Sequence, residues 1–243
     1  MSLLFFILAA GLSSLVGSIA GVGGGLLLLV SLSFLVPATS LIPIHACIQS
    51  FLCGTRTVVF RGDINWVIAK KFYLGMVPTT ACAALAISQI SSYNSGFLLI
   101  LIACYVLLSI IFPDVVGKFA GLDNPVYLGA VCGFLGMFVG STGPIVSTWL
   151  LGNGIIKEEH IATKSTMQAL AHFLKILAFM TIAKTSLGID ISVIVAMCLV
   201  GLVCTFMGKR LLLFVDGSLF VKYVKTLLVI VSLSILYKAL EGS

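Results

Sequence analysis

The chain has 243 residues, of which 60% are apolar and only 9% are charged, and its mean hydropathy is +1.23. A soluble domain carries roughly 25% charged residues, so this composition excludes a water-soluble globular protein and makes lipid the main solvent. The formal charge of +6 reflects lysines kept in the loops of a membrane protein and gives no reason to expect a nucleic-acid partner.

The N-terminal segment Leu3–Ile19 lacks the basic residues that precede the apolar core of a signal peptide, so it reads as a retained first helix. It ends in Gly21-Val22-Gly23-Gly24-Gly25, and a short apolar piece, Leu26 to Val36, follows and closes at Pro37. Apolar runs come next at Ile42–Phe60, Trp66–Ile87, Phe97–Phe112 and Val126–Val139. The last of these breaks at Gly140-Ser141-Thr142-Gly143-Pro144 and restarts as Ile145–Leu151. Three more runs complete the chain: Ile161–Ala183, Ile191–Leu213 and Leu219–Leu240. A spanning helix needs about 20 residues. The two pieces that follow the glycine breaks are too short for that and are expected to be re-entrant or parts of broken helices.

Those breaks mark an internal repeat. A shift of 119 residues places Gly17, Gly21 and Gly24 on Gly136, Gly140 and Gly143, Gln49 on Gln168, Arg56 on Lys175, and Phe60 on Phe179. With a seven-residue insertion, Gly62 and Gly75 then meet Gly188 and Gly201. The expected architecture is an all-α polytopic membrane protein made of two repeats, residues 1–118 and 119–243. Each repeat carries a Gly-broken helix and three spanning helices.

Charge sets the orientation of the halves. If each half crosses an odd number of times, one side collects Arg61, Lys70, Lys71, Lys118, Lys157, Lys164, Lys209, Arg210, Lys222 and Lys225. The other side keeps Lys184 and Lys238, and Arg56 and Lys175 lie within helices. That split obeys the positive-inside rule, whereas four crossings per half divide the loop charges evenly. The repeats are therefore expected to be inverted, with the basic loops cytoplasmic, both termini outside, and the protein in the cell (inner) membrane.

Inverted repeats with discontinuous helices are the pattern of secondary transporters, whose sites lie near the midplane at the half-helix ends. A helix starting after each break turns its first, unpartnered amides toward the break, and these amides with the positive end of the helix dipole suit an anion. The candidate substrate-binding residues are therefore Gly21, Gly23, Gly24 and Gly25 in the first half, and Gly140, Ser141, Thr142 and Gly143 in the second. Pro144 suits a helix start, where its missing N–H costs nothing.

Two polar stripes join them. His45, Gln49, Cys53 and Arg56 share one helix face, and Lys164, Gln168, His172 and Lys175 repeat that spacing. Gln49 and Gln168 are expected to face an interior, because a glutamine amide in lipid has no partner. Arg56, His172 and Lys175 complete the candidate site, with Arg56 toward the basic side and Lys175 toward the opposite one. His45 and His172 are the candidate proton carriers.

The eight carboxylates all fall in or beside loops, whereas cation transporters keep an acid within the membrane. This favours an anionic substrate. The seven cysteines lie in apolar stretches and form no Cys-x-x-Cys pair, so they read as packing residues and no metal or other cofactor is expected. No His-Glu-x-x-His, no intramembrane aspartate pair and no Ser/His arrangement beyond Ser141 is present, which points away from an enzyme.

The run Gly17-Ser18-Ile19-Ala20-Gly21-Val22-Gly23-Gly24-Gly25, the later Pro37, and the echo Gly133-Phe134-Leu135-Gly136…Gly140-Ser141-Thr142-Gly143-Pro144 resemble the duplicated motif of the sulfite exporter TauE/SafE family. The resemblance extends over essentially the whole chain in length, segment order and duplication. It implies export or uptake of small sulfur-containing or organic anions, such as sulfite or sulfonates. The expected function is a secondary transporter working by alternating access, with a passive anion channel of the same fold as the alternative. Its expected partners are a small anion and the bilayer, and a homodimer is one open arrangement.

Overall fold

The computed structural model describes residues 3–89, 95–112, 124–182 and 187–212, with isolated positions beyond 212. The expected last span, Leu219–Leu240, therefore lies largely outside the described residues, as do the boundary at 118/119 and Lys118, Lys184, Lys225 and Lys238. The described residues form nine α-helices and no strand: α1 (Leu3–Ile19), α2 (Gly24–Ser33), α3 (Ala38–Val59), α4 (Trp66–Gln89), α5 (Ser95–Ile111), α6 (Pro125–Val139), α7 (Gly143–Gly152), α8 (Lys157–Thr181) and α9 (Ile191–Leu211).

Local chemistry sets the ends of these helices. Pro37 precedes α3 in an extended conformation, and the Asn124 side chain accepts the Val126 amide proton at the start of α6, whose first residue is Pro125. Both glycine breaks are present. Gly21 and Gly23 take φ of 67° and 84° between α1 and α2, and Gly140 takes 78° between α6 and α7. Residues with a Cβ reach this region only at a cost of about 1–2 kcal/mol.

Polarity is arranged inside out. Along α9, Ile191, Val195, Leu199, Val203 and Phe206 form an exposed apolar stripe, and α1 exposes Leu4, Phe5, Leu8 and Leu12. Ser13, Ser14, Ser18, His45, Gln49, Arg56, Gln168, His172 and Lys175 are buried. Such a surface suits hydrocarbon rather than water. By length and apolarity alone, one described helix, Ile191–Leu211, qualifies as a membrane span, and the apolar helices α1, α2 and α6 are shorter. The long helices α3 and α8 carry the buried polar residues, which lowers their mean hydropathy while their outer faces remain apolar.

Small residues allow the helices to approach closely, as is common in membranes. A Cβ at Gly75 of α4 would lie 1.8 Å from the Val126 carbonyl oxygen of α6, and one at Gly129 would lie 1.9 Å from that of Phe72. Between α1 and α9, the Ser14 hydroxyl donates to the Gly201 carbonyl at 2.6 Å and pairs with the Thr205 hydroxyl at 2.7 Å.

These contacts also fix the helix directions. α3 and α8 run antiparallel, since His45 meets His172, Ser50 meets Ala169 and Arg56 meets Ser165. The end of α3 and the starts of α4 and α8 lie together: the Asn65 amide nitrogen donates to Thr163, and its side chain donates to Glu159 at 3.0 Å. Lys209 joins this end by donating to the Val59 carbonyl. α1 therefore runs toward the basic end and α6 away from it. The bounds of α2, shifted by 119 residues, coincide with those of α7.

Candidate anion site between two helix starts

The starts of α2 and α7 converge at the centre of the bundle. A Cβ at Gly25 would lie 3.1 Å from the Ser141 hydroxyl, so the first break touches the second. Neither helix has a side-chain cap at its N-terminus, where Gly23 and Thr142 stand. The first intrahelical bonds run from Leu27 to Gly23 and from Val146 to Thr142. The amides of Gly24, Gly25 and Leu26, and those of Gly143 and Ile145, therefore have no partner within their helices.

A cavity of about 420 Å³, its mouth included, opens beside these starts. Its wall contains Gly21, Gly23, Gly24, Gly25, Gln49, Arg56, Ser141, Gly143, Gln168 and His172 from the expected set. Four of the expected residues do not line it. Lys175 donates to the Gly140 carbonyl at 2.6 Å, and the Thr142 hydroxyl accepts from Gln168 at 3.3 Å. His45 bonds the Gly25 carbonyl at 2.9 Å, which only accepts, so Nε2 of His45 carries the proton. Its ring packs edge-on against His172 with 5.2 Å between centroids.

Both glutamines face the interior. Gln49 donates to Ser13 at 3.2 Å and accepts from Arg56 at 3.4 Å. Arg56 and Lys175 are each 4% exposed, so neither reaches for a headgroup. Arg56 also donates from Nε to Ser165 and from Nη2 to the Cys53 sulfur, whereas its Nη1 is buried without a partner. Among the described residues, no carboxylate pairs with Arg56, Lys164 or Lys175.

Lys164 corrects an expectation. Counted with the basic loops, it instead lies two turns into α8, in the cavity wall, and donates to the Gly21 carbonyl. It also stands beside Gly143, so one ammonium serves both breaks. The stripe shared with Gln168 and His172 was the available signal. Cys53, Ser165 and Gly17 also line the cavity, and Ser13 holds Gln49 from behind. The assignment of Ser13 depends on helix packing that no local pattern reveals.

Among the described residues, the cavity brings together buried cations and helix-start amides, and no carboxylate lines it. The sequence matches the family model described as Sulfite exporter TauE/SafE over residues 6–235. The chain belongs to the TauE/SafE family. No curated protein and no solved structure matches it. Membership makes the chain a membrane transport protein, not a member of an enzyme family. Among the described residues, no group of His, Cys, Asp or Glu could hold a metal ion.

Proposed function

We propose that this TauE/SafE protein is a secondary transporter that moves small sulfur oxyanions or sulfonates across the cell membrane by alternating access. The observation that carries this reading is Arg56, a buried guanidinium with one free nitrogen, in a cavity shared with Lys164 and the bare amides of α2. An uncompensated buried charge costs several kcal/mol. An anion entering this cavity supplies the missing counter-charge and accepts from nitrogens that otherwise lack a partner.

The halves, residues 1–118 and 119–243, act as inverted repeats. The opposed directions of α3 and α8, and of α1 and α6, support this relation, as does the common register of α2 and α7. The basic end, with Arg61, Lys157, Lys209 and Arg210, faces the cytoplasm, so both termini lie outside. Lys175 at Gly140 and the edge-on pair His45 and His172 stand between the cavity and the far side, which favours a gated carrier over an open channel.

Purified protein in vesicles should take up radiolabelled sulfite down its gradient and exchange it faster when sulfite is present on both sides. Arg56→Met should slow uptake by about 100-fold, the loss of one strong anion contact. Wild-type vesicles that move neither sulfite, thiosulfate nor any small sulfonate would refute the proposal. Uptake that shows no acceleration by exchange would make the protein a channel.

A further inference from the structure

The two breaks are alike in register but unlike in their bonds. In the second half Lys175 packs against Gly136, with its ammonium 3.5 Å from where a Cβ would stand, and donates to the Gly140 carbonyl one turn further on. At the matching positions of the first half, Arg56 packs against Gly17, with its Nη1 2.7 Å from where a Cβ would stand. Arg56 does not bond the matching carbonyl of Gly21, which Lys164 takes, and its Nη1 is left buried and free. Arg56 lines the cavity, and Lys175 does not.

The geometry points to an exchange of roles between these two cations as the switch between access states. The Lys175–Gly140 contact is the closed gate on the far side, and the Gly140 carbonyl occupies the place on Lys175 that the anion takes in the other state. In that state Arg56 Nη1 closes on the Gly21 carbonyl, Lys164 is released, and Lys175 with the start of α7 becomes the open face of the same oxyanion site. This inference rests on the transport reading, and it names the residues that gate it. An anion drives the exchange because a charged acceptor outcompetes a backbone carbonyl for an ammonium.

Two native cysteines report on the two faces. Both are buried, but Cys53 lines the cavity beside Arg56, whereas Cys132 lies away from it beside Lys175 and Thr142. Variants of the full chain that retain only one of them are reconstituted in vesicles and treated from either side with a sulfonate-bearing, membrane-impermeant methanethiosulfonate. Cys53 should react from the side of the basic loops and Cys132 should be protected. Lys175→Met should raise Cys132 labelling from the far side about tenfold and lower that of Cys53, as expected when one charge-assisted hydrogen bond holding a two-state equilibrium is lost. Lys175→Arg retains the donor and should keep Cys132 protected.

Unchanged Cys132 labelling in Lys175→Met would overturn the gate assignment. A second measurement needs no substitution at Lys175: the Cys132-only protein should label faster from the far side while exchanging sulfite than at rest. Sulfite transport with Cys132 equally protected in both conditions overturns the gate alone. A wild-type protein that transports no anion overturns the transport reading and the gate together.

Discussion

Gly17→Ala tests the role of Arg56 without touching the arginine. The added Cβ would stand 2.7 Å from Nη1 and 3.0 Å from Cζ, whereas ordinary contact begins at 3.4 Å. The guanidinium must therefore shift by about 0.7 Å, a move that a long side chain makes at little cost in stability. Its bonds to Cys53, Ser165 and Gln49, at 3.2, 3.3 and 3.4 Å, already sit at the long end and leave little room for it. Lengthening a cation–anion distance from about 3 to about 3.7 Å at an effective dielectric of about 20 removes ~1 kcal/mol. With a weakened hydrogen bond the loss comes to about 1–2 kcal/mol, or roughly 5- to 30-fold in affinity.

Gly136→Ala is the internal control. There the new Cβ meets the Lys175 ammonium at 3.5 Å and the Thr142 methyl at 3.6 Å, both ordinary contacts. Calorimetric titration with sulfite should show weakened binding in Gly17→Ala and affinity within about twofold of wild type in Gly136→Ala. Neither melting temperature should fall, since alanine gains about 1 kcal/mol over glycine inside a helix. Wild-type affinity in Gly17→Ala, or an equal loss in both variants, would refute the placement of Arg56 as the anion's ligand.

Three further outcomes follow from the packing. Gln49→Ala combined with Gln168→Ala should abolish stabilisation by sulfite in a thermal-shift assay, and the lost hydrogen bonds to Ser13, Arg56 and Thr142 should cost about 1–3 kcal/mol. Gly24→Ala should lower the melting temperature, because its Cβ would lie 2.5 Å from the Ser13 carbonyl, and backbone does not yield. Gly54→Ala, with nothing within 4 Å, should not lower it. Gly75→Ala should force α4 from α6, where 1.8 Å separates the new Cβ from the Val126 carbonyl, and destabilise the protein by about 3 kcal/mol as read by unfolding in denaturant.

The sequence by itself determined what depends on local pattern. Composition excluded water as the main solvent, and glycine runs located both breaks, because positive φ and a missing Cβ are properties of single residues. Helical spacing also put Gln49 and Gln168 on inward faces, since an amide cannot be left bare in lipid. The helices α2 and α7 begin slightly earlier than their apolar runs, at Gly24 and Gly143, because glycine and proline fill the first turn without breaking it.

Only the tertiary structure decided which of these groups meet. Lys164 was counted with the basic side, although its stripe with Gln168 and His172 put it on a helix; only packing showed that its partner is Gly21, 143 residues away in sequence. Two cations that the 119-residue shift aligns have different surroundings: Arg56 lines the cavity and Lys175 donates to the Gly140 carbonyl. A repeat in sequence states that two environments can be alike. Which cation lines the cavity depends on how α1, α3 and α8 pack together, through non-local contacts that no window of the chain contains.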